Sequence, residues 1–261
     1  MAAVLNNEKT ETSRYRHLFG PVRSRRLGIS LGVNMVPFKT CSLDCVYCEC
    51  GATTVLTTER REYIPTGSII AELDHYLDTN PQLDYVTFGG SGEPTLHSGL
   101  GVIINHLKKN YPQKKLALLT NSTLLYDSRL RADIVKCDLI VPSLDAVSDD
   151  TFYKINKPAN SLDCAGIIKN LIELSNKLKE LKGEMWLEIF ILPGVNDTDK
   201  EINLFKEAAA AINPARVQLN SLDRPGTCSG ISAPTTAKLE EIAGKLAPLP
   251  VEIVSRYAKK P

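Results

Sequence analysis

The sequence has no long apolar stretch and no excess of one charge sign. None of its 261 residues falls in a run of about 18 apolar residues, so no transmembrane helix is expected. The 31 Lys and Arg residues nearly match the 30 Asp and Glu residues, and the formal net charge is +1. Such a chain is not built to coat nucleic acid or an anionic membrane over its whole surface. We therefore expect a cytoplasmic protein with no membrane partner.

The sequence also lacks a secretion signal and a disulfide pattern. The N-terminal segment MAAVLNNEKTETSRYRH has no apolar core, so a polar tail over residues 1–20 and one domain over 21–261 are predicted. The seven cysteines are odd in number, and four of them lie between residues 41 and 50. Cys137, Cys164 and Cys228 are isolated. This distribution indicates one cluster of metal-binding thiols and not a disulfide framework.

After the cysteine-rich segment, short apolar runs alternate with longer amphipathic ones. This alternation predicts parallel βαβ units, and six or seven of them fit a full or partial barrel better than a doubly wound sheet. The predicted strands are Ile29–Val36, Tyr85–Gly89, Leu116–Thr120, Leu139–Pro142, Met185–Leu192, Val217–Asn220 and Val251–Val254. The predicted helices are Ser68–Thr79, Ser98–Asn110, Asp127–Lys136, Leu162–Leu181, Thr198–Ile212 and Thr235–Leu246. Ser68, Ser98, Asp127 and Thr198 are the predicted N-caps.

Polar or glycine-rich segments follow the predicted strands. The carboxyl ends of parallel strands meet at one rim of a barrel, where reactive sites lie. The segments that reach this rim are Cys41, Gly89–Pro94, Thr120–Asn121, Ser143–Asp145, Pro193–Asp197 and Asn220–Gly226. Glu188 lies inside an apolar strand, and its carboxylate is expected to point into a polar lumen unless the strand is half exposed there.

The cysteine segment reads Cys41-Ser-Leu-Asp-Cys45-Val-Tyr-Cys48-Glu-Cys50. Three thiolates spaced C-x3-C-x2-C can bind three irons of a [4Fe–4S] cubane. The fourth iron then has no protein ligand and is free to bind a small molecule. A zinc site on all four cysteines, or a four-cysteine electron-transfer cluster, is the alternative, and Cys50 is the residue that separates these interpretations.

This loop resembles the signature of the radical S-adenosylmethionine (SAM) superfamily, including the aromatic Tyr47 just before the third cysteine. The resemblance extends over most of the barrel and implies a partial (β/α)6 TIM-like barrel. It implies a [4Fe–4S] cluster on Cys41, Cys45 and Cys48, with SAM bound to the fourth iron. It also implies that Tyr47 packs beside the cluster. An electron donor such as flavodoxin or ferredoxin is the expected partner.

The same resemblance assigns SAM-binding roles to residues at the barrel rim. The segment Phe88-Gly-Gly-Ser-Gly-Glu93 resembles the glycine-rich element that contacts the SAM amino group. An ordinary strand-to-helix turn or an anion cradle is the alternative for these glycines. Polar residues that end the next strands would meet the ribose and carboxylate of SAM, although helix N-caps have the same composition. The candidate SAM-binding residues are Tyr47, Gly90, Gly92, Glu93, Thr120, Asn121, Ser143, Asp145 and Glu188.

Five arginines precede the first predicted strand, at positions 14, 16, 23, 25 and 26, among aromatic residues. Arginine with aromatics can bind phosphate and stack on bases, whereas a solvated basic surface is the alternative. The run HLFGPVRSRRLGISLGVNMVPFKTCSLDCVYC resembles a subfamily grouped with the tRNA wyosine-base synthases. Those enzymes carry three further cysteines upstream of the signature, and this chain has none before Cys41.

The predicted function is therefore a radical SAM enzyme that cleaves SAM to a 5′-deoxyadenosyl radical for hydrogen abstraction. A tRNA base is a candidate substrate. The alternatives are an activase of a glycyl-radical enzyme, a peptide-modifying enzyme, or a non-enzymatic zinc- or cluster-binding module.

Overall fold

A computed structural model of the chain describes residues 14–159, 162–224 and 226–254. Its centre is an eight-stranded sheet in the order β1-β2-β5-β6-β7-β8-β9-β10. Strand β1 is antiparallel to β2, and every later neighbour in this sheet is parallel. The strands are β1 Leu18–Ser24, β2 Gly28–Val33, β5 Tyr85–Phe88, β6 Lys115–Thr120, β7 Leu139–Pro142, β8 Glu184–Phe190, β9 Arg216–Asn220 and β10 Val251–Val254. A separate two-stranded sheet pairs β3 (Thr40–Cys41) with β4 (Val55–Leu56).

Helices connect the parallel strands, as the partial-barrel prediction requires. They are α1 Thr66–Leu77, α2 Leu100–Asn110, α3 Ser128–Ile134, α4 Asp149–Asn156, α5 Cys164–Glu180, α6 Asp199–Ile212 and α7 Thr236–Lys245, with a 3-10 helix at Pro94–Leu96. Counted from β2, the sheet contains six consecutive strand–helix units, and β10 is its seventh parallel strand. Within the described ranges, the edge strands β1 and β10 do not pair, so the barrel is open. The predicted fold class is confirmed.

The sheet separates two apolar regions. Its outer face and the helices form the main core, in which Leu187, Ile189, Val217 and Leu219 are buried. Its inner face holds a smaller cluster in which Leu27, from the β1–β2 turn, packs among barrel residues. The members of this cluster are Leu27, Ala117, Leu139, Val141 and Trp186, with Tyr85 and Leu119 against them. The β1–β2 hairpin therefore closes part of the barrel lumen. Across the described part of the chain, no helix is long and apolar enough to cross a membrane.

All seven predicted strands are present, and Leu139–Pro142 and Val251–Val254 have the predicted ends. Strands β1, β3 and β4 were not predicted. Residues 1–13 of the predicted tail lie outside the described residues, whereas Leu18–Gly20 belong to β1. Gly20 and Pro21 interrupt the apolar residues of β1, and Phe19 covers its cross-strand partner Gly32.

The predicted N-caps are half correct. Asp127 and Thr198 accept backbone hydrogen bonds at the starts of α3 and α6. Ser68 lies inside α1, because the helix begins earlier, at Thr66. The Thr66 N–H donates a hydrogen bond to the Glu62 carboxylate (2.8 Å) at this start. Helix α2 starts after Gly99 and not at Ser98. Helix α4 was not predicted, although it carries a residue of the site described next.

Candidate cofactor site

The cysteine loop follows β2 and lies over the carboxyl end of the barrel. Cys41 ends β3, and the C-terminal end of α4 holds the next turn of the loop. The Asp44 N–H donates to the Asn156 carbonyl (3.0 Å), and the Val46 N–H donates to the Ile155 carbonyl (2.9 Å). Backbone hydrogen bonds outside the helix and strand ladders therefore fix the loop to the C-terminal end of α4.

Each of the three thiols predicted to bind iron receives one side-chain N–H donor. Asn121 Nδ2 lies 3.5 Å from Cys41 Sγ, and Asn156 Nδ2 lies 3.3 Å from Cys45 Sγ. Lys39 Nζ lies 3.1 Å from Cys48 Sγ. Hydrogen-bond donors to sulfur favour the thiolate form of a cysteine, and they help to set the reduction potential of an iron–sulfur cluster. Lys39 and Asn156 were not among the predicted site residues.

The three thiols differ in how readily they ionise. Burial raises the pKa of Cys41 to about 12 and that of Cys45 well above its ordinary value. A hydrogen bond from Cys50 and the Lys39 ammonium together lower the pKa of Cys48 to about 5, against the effect of burial. A bound metal deprotonates a coordinating thiol outright, so Cys41 and Cys45 would release their protons on metal binding.

This donor set fits a [4Fe–4S] cluster with three protein ligands. Among the described residues, no group of three or more His, Cys, Asp or Glu side chains is placed to hold one metal ion. A cubane does not require such a group, because each thiolate binds a different iron. Cys50 is exposed, whereas Cys41, Cys45 and Cys48 are partly buried. The structure therefore distinguishes three partly buried thiols from one exposed thiol.

The glycine-rich loop after β5 packs directly against the start of the cysteine loop. A Cβ at Gly92 would lie 2.2 Å from the Thr40 carbonyl oxygen, so only glycine fits there. Gly90 has a φ of +124°, which also favours glycine. The Glu93 N–H donates to the Thr40 carbonyl (3.1 Å). The predicted residues Gly90, Gly92 and Glu93 are therefore adjacent to the cysteine loop.

The Glu93 carboxylate is buried and points into the protein. It accepts hydrogen bonds from the Thr95 N–H (3.1 Å), the Thr95 hydroxyl (2.6 Å) and the Thr120 hydroxyl (2.7 Å). Its second oxygen accepts from the Asn121 N–H (2.8 Å). Burial raises the pKa of Glu93, although these hydrogen bonds act in the opposite direction. Glu93 and Thr120 thus hold Asn121 in place beside Cys41.

Asp145, at the end of β7, links the loop to β8. Its carboxylate accepts hydrogen bonds from the Tyr47 hydroxyl, from Asn156 Nδ2 (2.9 Å) and from the Phe190 N–H (3.1 Å). The Tyr47 ring stacks on Phe190 with centroids 3.8 Å apart. Burial raises the pKa of Asp145 to about 6, against the lowering effect of the Tyr47 and Asn156 hydrogen bonds.

A small cavity lies between this group and β6. Its volume is about 10 Å³, and its lining includes Asn121, Ser143, Asp145 and Asn156. Among the residues that the structure describes, the buried Asn156 Oδ1 has no hydrogen-bond partner.

Glu188 points into the lumen, as expected. Its side chain lies on the same face of β8 as Trp186, which belongs to the lumen cluster, and Phe190. The carboxylate pairs with Arg26 and accepts hydrogen bonds from Ser143 Oγ (3.3 Å) and Asn220 Nδ2 (3.2 Å). Ser143 therefore reaches Glu188 and lies below the cysteine loop.

The segment after β9 covers the cysteine loop from the outside. The Thr227 hydroxyl donates to the Cys48 carbonyl (3.1 Å), and the Cys228 N–H donates to the Val46 carbonyl (3.0 Å). Arg224 lies 3.9 Å from the Glu49 carboxylate. Pro225 lies outside the described residues. This cover was missed because it binds backbone carbonyls of the cysteine loop, which leave no sequence pattern.

The comparisons with known proteins agree with this geometry. The sequence matches the family model of the Radical SAM superfamily over residues 35–205. It is 36% identical over 232 residues to a UPF0026 protein of Methanocaldococcus jannaschii, covering 88% of this chain and 70% of the relative. A solved radical SAM methyltransferase from Sphaerobacter thermophilus superposes with a TM-score of 0.68 at 15% identity, covering 88% of this chain and 67% of that one. At that identity the likeness shows the fold alone.

A further relative carries a different name. The chain is 39% identical over 222 residues to a protein named GTPase Obg from Brachyspira hyodysenteriae, covering 85% of this chain. It spans only 32% of that protein's length. The sequence of this chain contains no G-x-x-x-x-G-K-[ST] phosphate-binding motif.

Tyr47→Phe tests the hydrogen bond to Asp145. At pH 8 the buried carboxylate loses a donor, and we expect a loss of about 1–3 kcal/mol in unfolding free energy. Because the Asp145 pKa is raised to about 6, the carboxyl is increasingly protonated as the pH falls to that value. The loss should therefore be smaller at pH 6 than at pH 8, as measured by urea unfolding under anaerobic conditions.

Tyr126→Phe is the matched control, because Tyr126 is 55% exposed. It should change stability by less than about 0.5 kcal/mol at either pH. An equal loss at both pH values for Tyr47→Phe would contradict the role given to Asp145.

Proposed function

Because this chain belongs to the radical SAM superfamily, we propose that it cleaves SAM reductively to methionine and a 5′-deoxyadenosyl radical. It is a radical SAM enzyme whose cofactors are a [4Fe–4S] cluster and SAM. The proposed radical abstracts hydrogen from a substrate. The observation that carries this proposal is the set of three enclosed thiols, each with its own N–H donor.

In this proposal Cys41, Cys45 and Cys48 hold the cluster, which when bound supplies the electron that breaks the sulfonium bond of SAM. The chain's own residues orient the ligand and exclude water. The glycine loop presents backbone at Gly90 and Gly92 without a Cβ, so a ligand can approach it closely. Asn121 lies beside Cys41, and Asp145 is joined to the Tyr47–Phe190 stack through the Tyr47 hydroxyl.

Single cysteine variants test the three-ligand proposal. We expect about four irons per chain in the wild type after anaerobic reconstitution. Cys45→Ala should lose both the cluster and 5′-deoxyadenosine formation, because one iron then has no thiolate. Cys50→Ala is the matched variant in the same loop and should keep both. The measurements are iron content and chromatographic detection of 5′-deoxyadenosine after dithionite reduction.

Two results would sink the proposal. One is an intact, reduced cluster that forms no 5′-deoxyadenosine from SAM. The other is one zinc and no iron per chain, which would favour the zinc-binding module.

We further propose that a one-electron carrier protein such as flavodoxin or ferredoxin reduces the cluster at an apolar surface beside Cys41. Phe38, Val55 and Leu56 are 67%, 45% and 46% exposed. Val55 and Leu56 form β4, and the Phe38 carbonyl accepts from the hydroxyl of Thr54 (3.4 Å), the residue before β4. Leu56 is the direct cross-strand partner of Cys41. A carrier seated on this surface would contact the strand that bears a cluster ligand.

Leu56→Ser tests this surface. The side chain is exposed, so the fold and cluster should be retained, while flavodoxin-driven 5′-deoxyadenosine formation should fall severalfold. Dithionite-driven formation should be unchanged, because a small reductant needs no docking surface. Val102→Ser, at an apolar residue of α2 that is 57% exposed, is the control. Equal losses with both reductants would contradict the docking role.

A tRNA base is the substrate that we propose first. Arg14, Arg16 and Arg23 are exposed in this structure, and the Arg14 guanidinium lies 5.0 Å from the centre of the Tyr15 ring. Arg25 and Arg26 pair with Asp223 and Glu188, so they are engaged within the protein. Three of the five arginines thus support contact with nucleic acid.

Mass spectrometry of tRNA nucleosides from a deletion strain tests this substrate. A modified nucleoside should disappear in the deletion strain and return with the wild-type gene, but not with the Cys45→Ala gene. An unchanged nucleoside profile would contradict a tRNA substrate and favour a glycyl-radical protein or a peptide.

A further inference from the structure

Lys39 is a buried cation beside the proposed iron ligands. It lies two residues before Cys41 and is 2% exposed. Its Nζ lies 3.1 Å from Cys48 Sγ. Among the described residues no carboxylate forms an ion pair with it, and its ammonium makes a side-chain hydrogen bond to Cys48. The sites that the family resemblance assigns do not include this residue.

The backbone fixes Lys39 from both sides. Its N–H donates to the Ser91 carbonyl in the glycine loop (3.0 Å). Its carbonyl accepts from the N–H groups of Thr54 (3.0 Å) and Val55 (3.1 Å). Its φ of +55° is a left-handed conformation that lysine rarely adopts. These three hydrogen bonds hold the Lys39 backbone in this conformation, so the start of its side chain is fixed between the glycine loop and β4.

Lys39 differs from the other two donors in its charge. Asn121 and Asn156 are neutral, whereas an ammonium places a full positive charge against Cys48 in a poorly solvated position. Reduction adds one negative charge to a cluster, and a nearby positive charge stabilises that reduced form. The reduction potential of a cluster depends on net charge, hydrogen bonds to sulfur and solvent exposure.

We propose that Lys39 is a positioning residue that raises the reduction potential of the cluster through its charge and its hydrogen bond to Cys48. This inference rests on the proposed function, because it requires the cluster on Cys41, Cys45 and Cys48. Lys39 contacts a ligand of the cluster and not the reacting atoms, so its effect is on the ease of electron entry.

The test is a reductive titration of the reconstituted holoprotein, followed by electron paramagnetic resonance. Lys39→Met keeps the length of the side chain and removes both charge and donor. At the potential that half-reduces the wild type, its ratio of reduced to oxidised cluster should fall at least about tenfold, which is about 59 mV for one electron. Lys39→Gln keeps an N–H donor without the charge. Its ratio of reduced to oxidised cluster should lie between those of the wild type and Lys39→Met.

Lys157→Met is the matched control. Lys157 is exposed, and its Nζ lies 3.9 Å from Sγ of Cys228, which is not one of the three proposed ligands. Its loss should leave the titration unchanged, because solvent screens an exposed charge. Iron content and circular dichroism of each variant establish that the cluster and fold are retained.

Three results would overturn the inference. The first is a Lys39→Met holoprotein with about four irons and the wild-type midpoint. The second is an equal shift in Lys157→Met, which would indicate a general effect of surface charge. The third is failure of both Lys39 variants to load iron while the control loads it, which would assign Lys39 to assembly. Each differs from failure of the proposed function, in which the wild type itself forms no 5′-deoxyadenosine.

Discussion

The contact between Gly92 and Thr40 is the constraint on which the site depends. The Thr40 carbonyl accepts the Glu93 N–H, and Gly92 has no Cβ to separate the two segments. From Glu93 the connections continue to the Asn121 N–H (2.8 Å), and from Asn121 Nδ2 to Cys41 Sγ (3.5 Å). Cys41 follows Thr40 in the chain, so this circuit closes on itself. A buried, fully hydrogen-bonded network of this kind holds a side chain in one position.

A second network fixes the other half of the cysteine loop. Asn156 donates both to Cys45 Sγ and to the Asp145 carboxylate, and the Tyr47 hydroxyl donates to the same carboxylate. The buried Asn196 ties the strand ends beneath it, since its Nδ2 donates to the carbonyls of Asp145 (2.8 Å) and Phe190 (2.6 Å). The loop is thus attached to β6 on one side and to β7 and β8 on the other.

Ion pairs also connect the segments that surround the barrel lumen below the cysteine loop. Glu188 is a carboxylate within an apolar strand, and Arg26 reaches it from the β1–β2 hairpin. Arg25, in the same turn, pairs with Asp223 beyond β9. The hairpin at one edge of the sheet therefore contacts the strands near the other edge. These ion pairs bridge the open side of the barrel, where no backbone ladder is present among the described residues.

Much of the fold could be predicted because the parallel strands are short apolar runs with polar ends. This pattern is visible in the sequence because both faces of each strand are buried, so that most of its residues are apolar. Strand β1 could not be predicted, because Gly20 and Pro21 interrupt its apolar residues and its pairing with β2 is irregular between Phe19 and Val22. Helix α4 was missed because it shares one strand-to-strand connection with α5, whereas a regular βαβ pattern predicts one helix in each connection.

For the site, spacing predicted Cys41, Cys45 and Cys48 as cluster ligands, since a cluster-binding loop is a local feature of the chain. The sequence also marked Gly90, Gly92 and Asn121 by their positions after strands. It did not indicate what each side chain would contact. Glu93 looked available to a ligand, yet its carboxylate is engaged by Thr95, Thr120 and Asn121, because the adjoining 3-10 helix turns it inward.

The sequence by itself determined the family, the barrel and the three thiols, because these depend on local spacing and on a repeated pattern. Tertiary structure alone decided the donors around the thiols. Asn156 lies 111 residues from Cys45 in the chain, and Lys39, although only nine residues from Cys48, reaches it through a left-handed backbone turn. Such contacts depend on how distant segments pack, and no spacing in one sequence encodes them.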